Sequence, residues 1–209
     1  MTKLVISASK LKTYDSCPKQ YEFKYIQKLP WLEHDYFDTG KNVEALLFAK
    51  IKMEEPPAPE KPYTEEEKKM AESLYKFKPL QKLIWWMSLI YQRKHFDWDR
   101  IGFTDLETDL DIIDIKTSAS IWNENIVKEN RFQAKMYHRF CNWKKKFHFV
   151  IVLKKSDYPC QIISLNIKDY KDLEQIEMEL KTAIELKVFP KAESYRCKQC
   201  DYSTICRQI

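Results

Sequence analysis

Between Asp111 and Thr117 the chain reads Asp-Ile-Ile-Asp-Ile-Lys-Thr, a β-branched apolar run with a carboxylate and an ammonium two residues apart. Such a run predicts a strand, and on a strand residues two apart share a face. Asp114 and Lys116 therefore project together while Ile113 and Ile115 point the opposite way. A carboxylate beside an ammonium can hold a divalent metal while the cation meets phosphate charge, which is equipment for cutting a phosphodiester. The acid-x-Lys spacing alone is common here, recurring at Glu22–Lys24, Glu66–Lys68, Asp169–Lys171, Glu179–Lys181 and Glu185–Lys187. Those copies lie in stretches that read as helix or helix start, where i and i+2 diverge by roughly 200°. Asp114 instead follows a second candidate strand that ends near Asp105.

A chain of 209 residues is expected to form one domain, residues 1–209, with a substantial core. The net charge of +5 is modest, but Lys and Arg cluster around residues 128–155 and predict a local basic groove. No apolar run approaches a membrane span and no signal-peptide core opens the chain, so a cytoplasmic protein without membrane contact is expected. Glycine occurs only twice, at Gly40 and Gly102, which excludes a Walker A loop and with it a nucleotide-driven motor.

Ser7 or Ser9 can cap a first helix through about Ser16, and Cys17-Pro18 interrupts it before a second helix to about Lys28. Residues 40–52 read as helix, and residues 54–62 as a proline-rich linker within a helical insertion. Thr64 and Glu67 form a capping-box signature for a helix to about Lys76. From Leu80 to Tyr91 the spacing, which includes Met87, suits a helix, although Trp85–Ile90 would equally suit a strand. A hairpin turning at Asp97–Asp99 follows, then the Asp111–Thr117 strand, a helix over Ile126–Trp143, strands at Phe147–Leu153 and Gln161–Ile167, and a long helix over Asp169–Val188. This order predicts an α/β fold with a mixed central sheet flanked by helices.

Gln133 and Tyr137 are four apart and share one face of the helix after the Asp114 strand. A crossover helix packs back on its sheet, so that face could overlook the carboxylates. There Gln133 would order a metal-bound water or the DNA backbone and Tyr137 would contact phosphate; the alternatives are a surface glutamine and a core-edge tyrosine. Gly102 to Asp105, Asp114 to Thr117 and Gln133 to Tyr137 together resemble the PD-(D/E)XK nuclease superfamily in its RecB-like exonuclease branch. The resemblance spans essentially the whole chain and implies a restriction-endonuclease-like fold. It also implies Asp105, Asp114 and the Ile115 carbonyl as Mg²⁺ or Mn²⁺ ligands, with Lys116 orienting the attacking water. The chemistry agrees, since hard divalent cations take carboxylate and carbonyl oxygens. In many relatives the preceding helix opens Gly-x-x-x-His with the histidine completing the metal shell; here Gly40 is followed by Glu44, also a competent ligand or else a solvent-facing helix charge.

Six cysteines in a reducing compartment rarely mean disulfides. Cys141 and Cys160 read as free buried thiols. Cys197, Cys200 and Cys206 supply three soft ligands, and Cys17, held by Pro18, is the natural fourth for either a [4Fe–4S] cluster or zinc. The stretch Ser9-Lys-Leu-Lys-Thr-Tyr-Asp-Ser-Cys-Pro18 with the terminal trio resembles the iron–sulfur RecB-like nucleases, including the AddB nuclease domain and CRISPR-associated exonucleases. By that resemblance a [4Fe–4S] cluster joins residues 1–30 and 190–209 into one helical lobe. The expected function is a metal-dependent DNA exonuclease favouring single strands, with exposed aromatics such as Trp122 or Trp143 stacking bases. The rival is a non-catalytic DNA-binding or adaptor subunit. Protein partners in CRISPR adaptation, recombination or phage DNA processing are all compatible.

Overall fold

β1 (Ile90–Asp97), β2 (Arg100–Glu107), β3 (Asp111–Ser118), β4 (Lys146–Leu153) and β5 (Cys160–Leu165) form one sheet in sequential order. β3 and β4 run parallel, and every other neighbouring pair is antiparallel. The computed structural model describes residues 4–30, 35–85, 88–141 and 145–208, with the side chains of residues 35–37 left aside.

The parallel pair needs a crossover, supplied by α6 (Glu124–Glu129) and α7 (Arg131–Phe140). The single helix expected over Ile126–Trp143 is thus two, broken at Asn130. The Asn130 side chain donates to the Ile126 carbonyl at 2.8 Å, so it bonds to the backbone of the preceding turn. Trp143 and Met87 lie outside the described residues.

Helices cover both faces, as the near-continuous burial of β4 requires. On one side α1 (Ala8–Ser16), α7 and α8 (Lys171–Leu186) pack Leu11, Met136 and Leu180 against Ile112, Phe147 and Phe149. On the other, α3 (Asp35–Lys52), α4 (Glu65–Lys76) and α5 (Lys78–Ile84) pack Leu47, Leu74 and Leu80 against Ile113, Ile115 and Val150. Ile113 and Ile115 do face away from Asp114, whose partner lies on α7.

Ser7 caps α1 by accepting the Lys10 amide at 3.4 Å, and Thr64 and Glu67 close the expected capping box on α4. Elsewhere the boundaries differ from the sequence reading. The helix expected over 40–52 starts five residues earlier, at Asp35. Residues 80–91 divide, ending α5 at Ile84 and beginning β1 only at Ile90, so the helix covers the first part and of the Trp85–Ile90 strand alternative only Ile90 is strand. The second helix is α2 (Pro18–Tyr21), which widens into a π-turn over Glu22–Ile26. There Gln27 N–H bonds the Glu22 carbonyl and Leu29 N–H bonds Phe23.

A segment after α8 returns to this N-terminal region. Lys19 N–H bonds the Pro190 carbonyl at 3.2 Å, Tyr202 packs on Phe23 with ring centroids 5.5 Å apart, and α9 (Ser203–Gln208) follows. No helix among the described residues is long and apolar enough to cross a membrane.

Candidate active site

β2 and β3 pair only at Leu106–Ile113 and Glu107–Ile112 and then part. The parting leaves the Ile115 amide without a strand partner on that side, and the Asp105 carboxylate takes its place, accepting that N–H at 2.7 Å. A buried amide is thereby satisfied and a carboxylate is fixed at the opening. Asp114 stands beside it. Its Oδ1 accepts from Gln133 Nε2 at 2.6 Å, and its Oδ2 lies 2.5 Å from the Lys116 ammonium. That Oδ2 is buried and receives no hydrogen bond of good geometry, so the ion pair alone compensates it.

Glu44 completes the group from α3. Its Oε1 accepts from Gln92 at 3.0 Å, and its charge is felt by Asp105. Burial pushes the Asp105 carboxyl well above its usual range, and the neighbouring charges of Asp114 and Glu44 add to that against the pull of Lys116. Burial also raises Asp114 against Lys116, and raises Glu44 against the Gln92 hydrogen bond and Lys116. For Lys116 burial opposes the charge, yet Asp114 and Asp105 outweigh it and hold the ammonium above its ordinary value. Three carboxylates thus crowd one lysine. A hard divalent cation would relieve their repulsion and bind Asp114 Oδ2, which only the Lys116 ion pair now meets, so these donors fit one.

Gly102 explains how α7 comes so close. A Cβ there would sit 2.7 Å from the Tyr137 ring and 2.8 Å from the Phe140 ring, so no other residue lets this helix settle on β2. The approach brings Gln133 onto Asp114 and buries Tyr137 at the site's wall, where burial and Asp114 raise its hydroxyl above the normal tyrosine value. Gln133 and Tyr137 do share a face over the carboxylates. In this state Gln133 grips Asp114 itself.

Other expectations change. Trp122 is buried against Phe149, with centroids 5.0 Å apart and its backbone bracketed by Gln161, so it cannot stack bases. Part of the lysine and arginine cluster is committed to carboxylates: Arg131 to Asp15 and Asp172, Lys135 to Asp172, and Lys145 to Glu107. Arg131, Lys135 and Lys145 are therefore not free to line the basic groove expected over 128–155.

The sequence reading missed a second buried carboxylate, two residues beyond Asp105. Glu107 has no exposed side-chain surface. It accepts from Thr104 Oγ1 at 2.6 Å, from His95 Nε2, and from Lys145 Nζ at 3.0 Å, with Arg93 3.7 Å away. Burial alone would push it up, but the bonds from His95, Thr104 and Lys145 dominate and hold it far below the usual glutamate value. Cys141 lies against this group, its thiol pushed up to about 12 by burial and by Glu107. His95, Glu107 and Cys141 have donor atoms within 4.8 Å of one another, the spacing of a metal site, but Lys145 and Arg93 already supply the cation charge. The one available signal was an acid between the apolar Leu106 and the strand end, which predicts burial without naming the partners.

Far along the chain from these acids, Cys17, Cys197, Cys200 and Cys206 line one pocket of about 810 Å³, while Cys141 and Cys160 lie elsewhere. Burial raises the Cys200 thiol, and the charges of Cys17, Asp201 and Cys197 add to it.

Residues 5–95 match the family model of the PD-(D/E)XK nuclease superfamily. That stretch contains Cys17 and Glu44 but ends before Asp105, Asp114 and Lys116, whose grouping rests on the geometry above. Among solved structures the chain is similar to a Eubacterium rectale protein bearing the name "Putative exonuclease". The two are 18% identical, with a TM-score of 0.67 over 97% of this chain and 88% of that one. It is also similar to SSO0001, at 14% identity and a TM-score of 0.55 over 99% of this chain and 87% of that one. No curated protein matches the chain. At these identities the likeness concerns the fold, which is restriction-endonuclease-like.

Proposed function

We propose that this chain, whose family match and fold are those of the PD-(D/E)XK nucleases, is a metal-dependent DNA exonuclease that favours single strands. The observation that carries the reading is the convergence of Asp105, Asp114 and Glu44 on Lys116 at the parting of β2 and β3. Asp105, Asp114, the Ile115 carbonyl and Glu44 would hold Mg²⁺ or Mn²⁺. A bound cation supplies charge stabilisation at the scissile phosphate and acidifies the attacking water. Lys116 is kept protonated by the two aspartates and so presents a donor to that water or to the phosphate, orienting one against the other. Gln133 fixes the rotamer of Asp114, and Tyr137 closes the wall. End-labelled single-stranded DNA should be degraded with Mg²⁺ or Mn²⁺ and left intact in EDTA. Survival of the strand with either metal would remove the nuclease reading.

The cysteine pocket suits a [4Fe–4S] cluster. Four thiolates lining one pocket could serve either a cubane or zinc, and the single Cys-x-x-Cys hook at Cys197–Cys200 favours the cubane, since zinc more often takes two such hooks. Protein purified without oxygen should be brown with about four irons per chain. Cys17→Ser should bleach it, and Cys141→Ser and Cys160→Ser should not. Zinc without iron in such protein would defeat the cluster.

A further inference from the structure

A second cavity, of about 260 Å³, is lined by Lys12, Asp15, Ser16, Glu129, Ser194 and Arg196. Ser16, Glu129, Ser194 and Arg196 also line the cysteine pocket, so the two spaces adjoin. At the other side Lys12 lies within the electrostatic reach of Lys116. Lys12 thus lines the space beside the cysteine lobe and feels the charge of the active-site lysine.

The charges around it are unevenly matched. Asp15 is held by Arg131 at 3.2 Å, and Glu129 is held by Arg196, which also donates to Ser16 at 3.0 Å. Lys12 donates only to the neutral Asn130 side chain, at 2.9 Å, and has no carboxylate within ion-pair distance among the described residues. Burial pulls its ammonium below the ordinary lysine value, Glu129 resists, and the cations Lys116 and Arg196 push the same way as burial. A half-buried cation facing a cavity, with a neutral partner and cations on both sides, is the environment an incoming phosphate improves most.

We propose that Lys12 is a substrate-binding residue whose ammonium takes a phosphate of the DNA strand away from the scissile bond, on a path from Lys116 past Arg196 toward the cysteine pocket. The proposal rests on the nuclease reading of the Lys116 site. Arg196 exchanges part of its Glu129 contact for the strand and marks the far side of the path.

Binding is measured by anisotropy of a labelled oligothymidylate in EDTA across a series of KCl concentrations, so affinity is read without cleavage. Lys12→Ala should weaken binding about tenfold, as expected for loss of a charge-assisted hydrogen bond. The slope of log affinity against log salt should become shallower by about 0.7, one phosphate contact on a single strand. Lys12→Arg should recover both. With Mg²⁺ the Lys12→Ala loss should fall in KM on long strands and shrink as the strand is shortened. If the alanine variant does not fold, Lys12→Gln, which can still bond Asn130, carries the same test. An unchanged salt slope in a folded variant overturns the proposal, as does a loss confined to kcat or a wild-type protein that binds no strand. Wild type that binds but cleaves nothing would sink the nuclease reading instead, and the salt slope would still decide Lys12.

Discussion

Asp105 and Glu107 are two residues apart on β2, the first half-buried and the second fully buried, and their environments push them in opposite directions. Glu107 is surrounded by protein donors: Lys145, His95 and Thr104 bond its two oxygens, with Arg93 nearby. Asp105 receives one backbone N–H and faces two more carboxylates with a single shared lysine. The first is a carboxylate whose charge the fold has already answered. The second is left short of positive charge, and that shortage is what a metal and a phosphate-bearing substrate would exploit. Burial alone does not distinguish a structural acid from a working one; the supply of cations does.

The contrast is broken most forcefully at Lys116. Lys116→Ala should lower cleavage by about a thousandfold or more, the scale of losing a preorganised charge at the reacting group, while far-ultraviolet circular dichroism stays native. Turnover like wild type would take Lys116 out of the mechanism.

Glu107→Gln should act on the other member, destabilising the fold by about 3 kcal/mol because Lys145 is left buried without its partner. Chemical denaturation measures this, and a loss below about 0.5 kcal/mol would contradict the structural role. The pH dependence has a definite sign. Glu107 is depressed in the folded state, so its contribution is present above the unfolded glutamate value and is lost as pH falls through the lower folded one. Wild type should therefore lose stability in acid more steeply than Glu107→Gln.

Glu44→Ala should cost about tenfold in activity, with Glu44→His restoring part of it and shifting preference toward Mn²⁺. A fully active alanine variant would leave the site to Asp105 and Asp114.

The smallest effect runs the other way. Asp105 is raised in the folded state, so its ionisation opposes folding at neutral pH, and the penalty grows as pH rises above the ordinary aspartate value. Asp105→Asn should stabilise the metal-free protein by about 1 kcal/mol, or roughly 2–4 °C in Tm. Added Mg²⁺ should raise the Tm of wild type and not of the variant. A variant less stable than metal-free wild type would erase the difference between the two acids.

The parts of this design that were legible in the sequence are those set by local periodicity. The Asp111–Thr117 strand, the Asp97–Asp99 turn, the Thr64 box and the shared face of Gln133 and Tyr137 each follow from spacing over a few residues. The parts that were not depend on contacts distant in sequence. Trp122 is buried because Phe149 and Gln161 meet it, and nothing near residue 122 signals that. Arg131 and Lys135 look like a basic surface until Asp172 arrives from α8. His95 reaches Glu107 across a hairpin whose turn the sequence suggested, but neither that pairing nor the choice of Lys145 as third partner followed from it. The break at Asn130 has a local cause in its side-chain bond to Ile126, yet asparagine also occurs within continuous helices, as Asn42 does in α3.

The cysteine pocket has a consequence in time as well as in space. Cys17 is made about 180 residues before Cys197, and at roughly 5–20 residues per second a ribosome needs on the order of 10–40 s to cover that distance. Within that interval every strand of the sheet and the helices through α8 are made while Cys17 waits for the other three thiols of its pocket. The lobe is consequently among the last regions to acquire its contacts, and a chain stalled before Cys197 is left unfinished at this one corner.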